Sequence, residues 1–279
     1  MNTIVSQYFS GIVSGSDENI NLAEATLYIA QIEYPHLDTS AYLSILDAMA
    51  AELREIIPID SSAKSTISLI NEYLFDTLGF SGNWRSFNDP RNSFLNEVLD
   101  RKLGIPISLS LLYMEIGKRL GLELYGVSFP GHFLVKLIHE KEEFIIDPFS
   151  GGVVLVEAEL LERLKHFSED RQSRWNLEEL LQPASNKEVL IRILRNLKNI
   201  YIEVDDLQHA LHVTNLQLIL DPDSADGLRD RGFIYESLDC YRAASEDFQR
   251  YLVLNPAAND CQSIQSRLSG LQHSISRLH

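Results

Sequence analysis

Two stretches near the C-terminal end repeat each other at an interval of 34 residues, and that interval constrains the fold more than any other feature of the chain. Leu194, Tyr201, Ala210 and Pro222 recur as Leu228, Tyr235, Ala244 and Pro256. A period of this length marks a stack of two-helix units, each unable to bury its apolar face alone. In the later unit the small residues Gly232 and Ala244 let two antiparallel helices approach closely, while Tyr235 and Phe248 fill the space between neighbours. The earlier unit carries Lys198 where the small residue belongs and is degenerate there. Residues 259–278 supply one more amphipathic helix, a cap for the array. The chain's two cysteines, Cys240 and Cys261, fall in this region and read as buried structural thiols.

The spacing and identity of Leu228, Gly232, Tyr235, Ala244 and Phe248 are those of tetratricopeptide repeats. Upstream the chain changes character, which sets a division into residues 1–184 and 185–279. The first part carries 14 basic and 27 acidic side chains, the second 10 and 13. The whole chain of 279 residues has a net charge of −16. That balance excludes the basic footprint a nucleic-acid binder needs, and it disfavours an anionic membrane surface. No run of about 18 uncharged apolar residues exists, so no membrane insertion is expected. The opening MNTIVSQYFSGIVSGSDENI has no basic region and no long apolar core, so it is not expected to act as a signal peptide. Two cysteines cannot build a disulfide framework, which fits a reduced, cytoplasmic compartment.

In the first part, helical spacing and stop signals place helices over 20–34, 39–56 (capped by Thr39 or Ser40) and 64–78, the last ending at Gly79. Asp89-Pro90 reads as an N-cap followed by proline at the first helical position, opening a helix that runs to Lys102. Pro106 opens the next, which ends at Gly121. Then the period shortens: 123–129, 132–138, 143–147 and 153–156 are short β-forming runs, with a hairpin turn at His139–Glu143. Helices resume over 157–166 and 176–181. Helices followed by an antiparallel sheet give an α+β class.

The residues that point to chemistry lie in this sheet. Pro130-Gly131-His132 precedes one strand, and Asp147-Pro148-Phe149 closes the next. If the two strands pair, His132 and Asp147 meet, and a carboxylate bonded to one imidazole nitrogen leaves the other free as a base. The nucleophile such a pair would serve belongs at a helix N-terminus, where the helix dipole and free N–H groups assist. The helix that fits opens Pro106-Ile107-Ser108-Leu109-Ser110 and holds no cysteine. Ser108 is the better replacement and Ser110 the second; the alternative is a hydroxyl bonded to backbone. Asp89, Arg91, Asn92, Asn96 and Glu97 crowd one helix, with Asn92 and Asn96 on one face. They either line a cleft beside His132 or bond loop backbones. Trp84 and Phe87 form a rim for a peptide or cover the core edge. A metal site is the weakest reading, since no second histidine has suitable spacing and His36, His139 and His166 read as surface residues.

These residues in this order resemble the bacterial transglutaminase-like/tetratricopeptide proteins of the Sir B type, a group named after an invasion regulator. The related domain also occurs in a eukaryotic F-box protein. The resemblance spans about residues 20 to 256, carried by Asn71–Leu74 with Gly79-Phe80, Asp89–Ser93, Asn96–Leu99, Gly104–Ser108, Leu120-Gly121, Gly126, Pro130–Val135 and Asp147–Phe149. It implies a transglutaminase-like, papain-type core with N-terminal helices and a C-terminal all-α array of tetratricopeptide hairpins. His132 matches the family's histidine and Asp147 its aspartate; the family's cysteine position falls near Pro106–Ser108.

Two functions follow as expectations. One is an interaction or regulatory scaffold, a transglutaminase-like domain without its nucleophile that binds a protein or peptide partner and needs no cofactor. The other is a Ser108-His132-Asp147 hydrolase or acyl transferase acting on peptides or amides. Because a solenoid needs about three stacked units, residues 185–279 are expected to dock on the first domain.

Overall fold

The computed structural model describes residues 2–140, 142–165 and 176–277. In chain order it contains α1 (Asn2–Val13), α2 (Leu22–Ala30), α3 (Thr39–Ile56), α4 (Ala63–Asn71), β1 (Ser81–Gly82), α5 (Leu95–Arg101), β2 (Leu103–Gly104) and α6 (Pro106–Arg119). The strands β3 (Glu123–Val127), β4 (Leu134–His139), β5 (Glu142–Asp147) and β6 (Val153–Leu155) follow. The chain then turns helical through α7 (Glu157–Leu164), α8 (Leu177–Leu180), α9 (Asn186–Glu203), α10 (Leu207–Leu220), α11 (Ala225–Ser237), α12 (Tyr241–Leu254) and α13 (Cys261–Arg277). The α+β class and the all-α C-terminal array stand. His166 lies outside the described residues.

Two compact units are formed, Gly15–Ile193 and a second made of Met1–Ser14 with Leu194–His279. One border between these units falls inside α9. The helix α1, whose serines and glycine interrupt its apolar pattern, buries Phe9 and Val13 and packs against α10.

In the Gly15–Ile193 unit, α6 is the central element. Every residue from Pro106 to Gly117 is buried, against α2, α3 and α5 on one side and β3 and β4 on the other. The sheet order is β3-β4-β5-β6, antiparallel throughout, with Val135 opposite Ile146 and Ile146 opposite Val154. Behind it Val127, Phe129, Leu134, Ile145 and Leu155 pack with Leu160 and Leu164 of α7. β1 and β2 form a separate two-residue parallel pair.

Two local features differ from the sequence expectation. Asp38, not Thr39 or Ser40, caps α3, its carboxylate accepting from the Ser40 and Ala41 amides. The helix expected from Pro90 to Lys102 is broken: Asp89 caps a single 3-10 turn, Pro90–Asn92, and Phe94 is extended before α5 starts. Phe94 and Leu95 are both buried, and that burial sets the break against helix propensity.

In the second unit the repeat spacing is realised as helical hairpins. A Cβ at Gly232 would lie 2.5 Å from the Phe248 ring, so only glycine admits this approach of α11 and α12. Lys198 occupies the equivalent place in α9 by another means, its buried ammonium paired with Asp230 of the next unit. Arg231 binds both carboxylate oxygens of buried Asp247 at 2.7 Å and donates to Asn215 at 2.9 Å. Leu228, Ala244 and Phe248 are core residues, with Tyr235 packed at its edge. The cysteines are not buried as expected: Cys240 is exposed at the start of α12, and Cys261 is half-buried. No helix among the described residues is long and apolar enough to cross a membrane.

Candidate functional site

The β4–β5 hairpin does the first work of assembly. Antiparallel pairing of β4 with β5, from His139 opposite Glu142 to Val135 opposite Ile146, sets a register in which the residues just before β4 face the end of β5. Half-buried Pro130 and exposed Gly131, the latter at φ +67°, turn the chain, and His132 follows with its amide bonded to the Phe129 carbonyl. The imidazole Nε2 then lies 2.8 Å from Asp147 Oδ1. Among the described residues no group is bonded to Nδ1.

Asp147 has no exposed surface, and three side chains converge on it. Besides His132, Arg163 Nη1 donates to Oδ2 at 2.8 Å, as does the Ser150 hydroxyl at 2.8 Å; the Ser150 amide reaches Oδ1 at 3.3 Å. Burial alone would raise this carboxyl's pKa. The bond and charge of His132 outweigh that, helped by Arg163 and Ser150, and hold it at about 2. Ser150 is legible in the sequence, since an aspartate before proline caps the turn that follows. Arg163 is not: it comes from α7, beyond the sheet, and no spacing rule connects it to Asp147.

Among the described residues no hydrogen bond joins Ser108 to the imidazole. It is fully buried in the first turn of α6, where its hydroxyl donates to the Asn92 carbonyl at 2.5 Å and accepts from the Ile105 amide at 3.0 Å. Ser110 is also buried and donates to the Phe133 carbonyl at 3.2 Å, pinning the backbone next to His132. Both hydroxyls bond backbone.

The polar cluster ahead of α6 divides along the broken helix, so Asn92 and Asn96 do not share a helical face. Asn92, fully buried, donates to the carbonyls of Ser86 at 2.7 Å and Phe87 at 3.3 Å and accepts from Asn83 at 3.0 Å. It holds the 83–87 loop in one shape. Asn96 is buried on α5, its Oδ1 without a partner among the described residues. Asp89 binds Arg91 at 2.7 Å and Arg101 at 3.5 Å, and Glu97 lies 3.9 Å from Arg101. Burial raises the Asp89 pKa, but the bonds from Arg91 lower it more.

The loop held by Asn92 presents two aromatic side chains to solvent. Trp84 is 71% exposed and Phe87 47%. Both rest on buried Phe149, with ring centroids 4.2 and 6.1 Å away. His132 meets the same ring edge-on at 5.9 Å. Phe149 is therefore the floor shared by the aromatic rim and the His132–Asp147 pair. It sits directly on β1, where a Cβ at Gly82 would be 2.6 Å from the ring. The described residues contain no group of three histidine, cysteine or acidic side chains placed to hold a metal.

A central helix against an antiparallel sheet, a histidine entering one strand bonded to an aspartate ending the next, and helical hairpins after them define a papain-type core joined to a tetratricopeptide array. The chain belongs to the transglutaminase-like superfamily, whose family model matches residues 40–195; a tetratricopeptide-repeat model matches residues 197–269. It is 37% identical over 272 residues to a UPF0162 protein of Xylella fastidiosa, covering 97% of each chain. A UPF0162 protein of Vibrio cholerae is 30% identical over 247 residues, 87% of each. Protein SirB1 of Salmonella typhimurium is 29% identical over 244 residues, 82% of this chain and 87% of that one. The resemblance to the Sir B type is thereby shown.

Proposed function

We propose that this protein is a non-catalytic scaffold that binds a protein or peptide partner in the reduced cytoplasm of a bacterium. One observation carries the reading: the only hydroxyl in the first turn of α6 is buried and spent on Asn92 and Ile105, while the neighbouring loop is stapled so as to expose Trp84 and Phe87. Holding two large aromatic rings in water on a rigid support serves recognition, where such side chains provide contact area at low entropic cost. His132 and Asp147 then act as the pin that sets the hairpin and Phe149 beneath that rim. The tetratricopeptide hairpins, a repeat whose stacked helices form binding surfaces, offer a second place for a partner.

The test is comparative capture. Tagged wild-type chain and Trp84→Ala/Phe87→Ala, His132→Ala and Ser108→Ala variants are expressed in the native host and their bound proteins compared. Loss of a specific partner in the aromatic variant, with far-UV circular dichroism unchanged, supports the reading. Retention of every partner by that variant counts against it.

A second reading rests on the open Nδ1 of His132: a base with an orienting carboxylate is two thirds of an acyl-transfer triad. It requires Ser108 to abandon two buried hydrogen bonds or a nucleophile to come from the substrate. The alternative therefore predicts turnover of a peptide or amide that His132→Ala abolishes.

A further inference from the structure

The four-stranded sheet ends at β6, and on its outer side β6 pairs with no strand among the described residues. Exposed strand edges are commonly kept short or blunted by lysine, proline, a bulge or a covering element, because their free N–H and C=O groups will pair with any extended chain. β6 is short, at 3 residues, but the edge carries neither lysine nor proline. Residues 151–156 read Gly-Gly-Val-Val-Leu-Val, and Val153, Val154 and Val156 are 48%, 40% and 59% exposed.

The edge is also held in place. Gly151 and Gly152 have φ of +76° and +77°, turning the chain into β6. Asn71, at the end of α4, donates to the Gly152 carbonyl at 2.7 Å, and a Cβ on Gly152 would lie 2.0 Å from Asn71 Oδ1. That oxygen has no hydrogen-bond partner among the described residues. Between α4 and the strand lies a cleft of about 500 Å³, lined chiefly by Lys64, Ile67, Ser68, Asn71, Phe144 and Val154. Side chains alternate in direction along a strand, so Phe144 and Ile146 share one face, and Val154, opposite Ile146, lies on it too. A strand added beside β6 would place every second side chain over the same cleft.

Its chemistry selects the occupant. Lys64 is the only charged residue lining the cleft, and it forms no ion pair among the described residues of a chain that carries −16 overall. Two copies meeting at this edge would bring two lysines and two strongly acidic chains together, which is repulsive. We infer that β6 receives an extended segment of a partner protein as a fifth strand, with alternate apolar side chains in the cleft and a carboxylate on Lys64. Backbone pairing supplies affinity in such strand addition, and the alternate side chains supply specificity.

Fluorescein-labelled octapeptides of alternating valine and threonine test this by anisotropy with the full chain. One carries a central glutamate, one a central lysine and one a central proline. The glutamate peptide is expected to bind best and the proline peptide not at all. Val154→Lys is expected to weaken binding by about tenfold or more, and Lys64→Glu, an exposed change that leaves folding intact, to reverse the order of the two charged peptides. Equal binding of the proline peptide would overturn the inference, as would no binding of any peptide at millimolar concentration or insensitivity to Lys64→Glu. A wild-type dimer in sedimentation velocity that Val154→Lys dissolves would assign the edge to a second copy and overturn it equally.

Discussion

At the scale of single residues, Asp147 carries the clearest consequence. Its carboxyl is held at about 2, below the ordinary 3.8, so it binds protons less readily in the folded chain than in the unfolded one. The stability this gives is fully present above about pH 4 and is lost as pH falls towards 2. Asp147→Asn should therefore melt below wild type at neutral pH, with the gap closing through that window in thermal melts. A gap constant from pH 7 to 2 would refute the assignment. Ser108→Ala should cost about 1–3 kcal/mol in urea unfolding, because it leaves a buried carbonyl and a buried amide without their partner. A cost near zero would mean the hydroxyl is not held as described. The His132–Asp147 pair was legible because a short hairpin joins them and a one-residue change of register would separate them. Arg163 was not legible, because its contact depends on how α7 crosses the sheet, which no local pattern encodes.

At the scale of elements, the repeat shows what spacing does and does not convey. The interval of 34 residues located both hairpins, and the close approach at Gly232 follows from it. Gly232→Ala should destabilise the array by about 1–3 kcal/mol through overpacking against Phe248, read as a lowered midpoint in urea. Lys198 looked like a defect of the earlier unit because its partner Asp230 lies on another repeat, 32 residues on. Removing only that partner, by Asp230→Ala, strands a buried ammonium and should cost more than the double change Lys198→Met/Asp230→Ala. A double-mutant cycle with no coupling would contradict this. The broken helix at Phe94 was hidden for a different reason. Asp89-Pro90 is a sound helix start, and it does start a turn, but burial of Phe94 and Leu95 ends it after three residues.

At the scale of the whole molecule, the order of helices, then sheet, then hairpins could be read directly, because each class of element keeps its own period over a long stretch. The grouping of α1 with the repeat helices could not, since it depends on which apolar face α1 finds. The net charge of −16 acts on the chain as a whole. Self-repulsion of like charges opposes compaction, and salt screens it. Raising sodium chloride from low to about physiological strength, where the screening length falls to about 8 Å, should raise the melting temperature. A lower melting temperature at higher salt would show that the paired charges outweigh the excess.

The proposed scaffold role requires a transglutaminase-like core with no working nucleophile. Reaction with a fluorophosphonate, read by intact mass and peptide mapping, addresses it most directly. A core without a nucleophile gives no adduct on Ser108 in the folded chain, and reagent treatment leaves the masses of wild type, Ser108→Ala and His132→Ala unshifted. A stoichiometric adduct on Ser108 that disappears in His132→Ala would contradict it and establish the Ser108-His132-Asp147 triad instead.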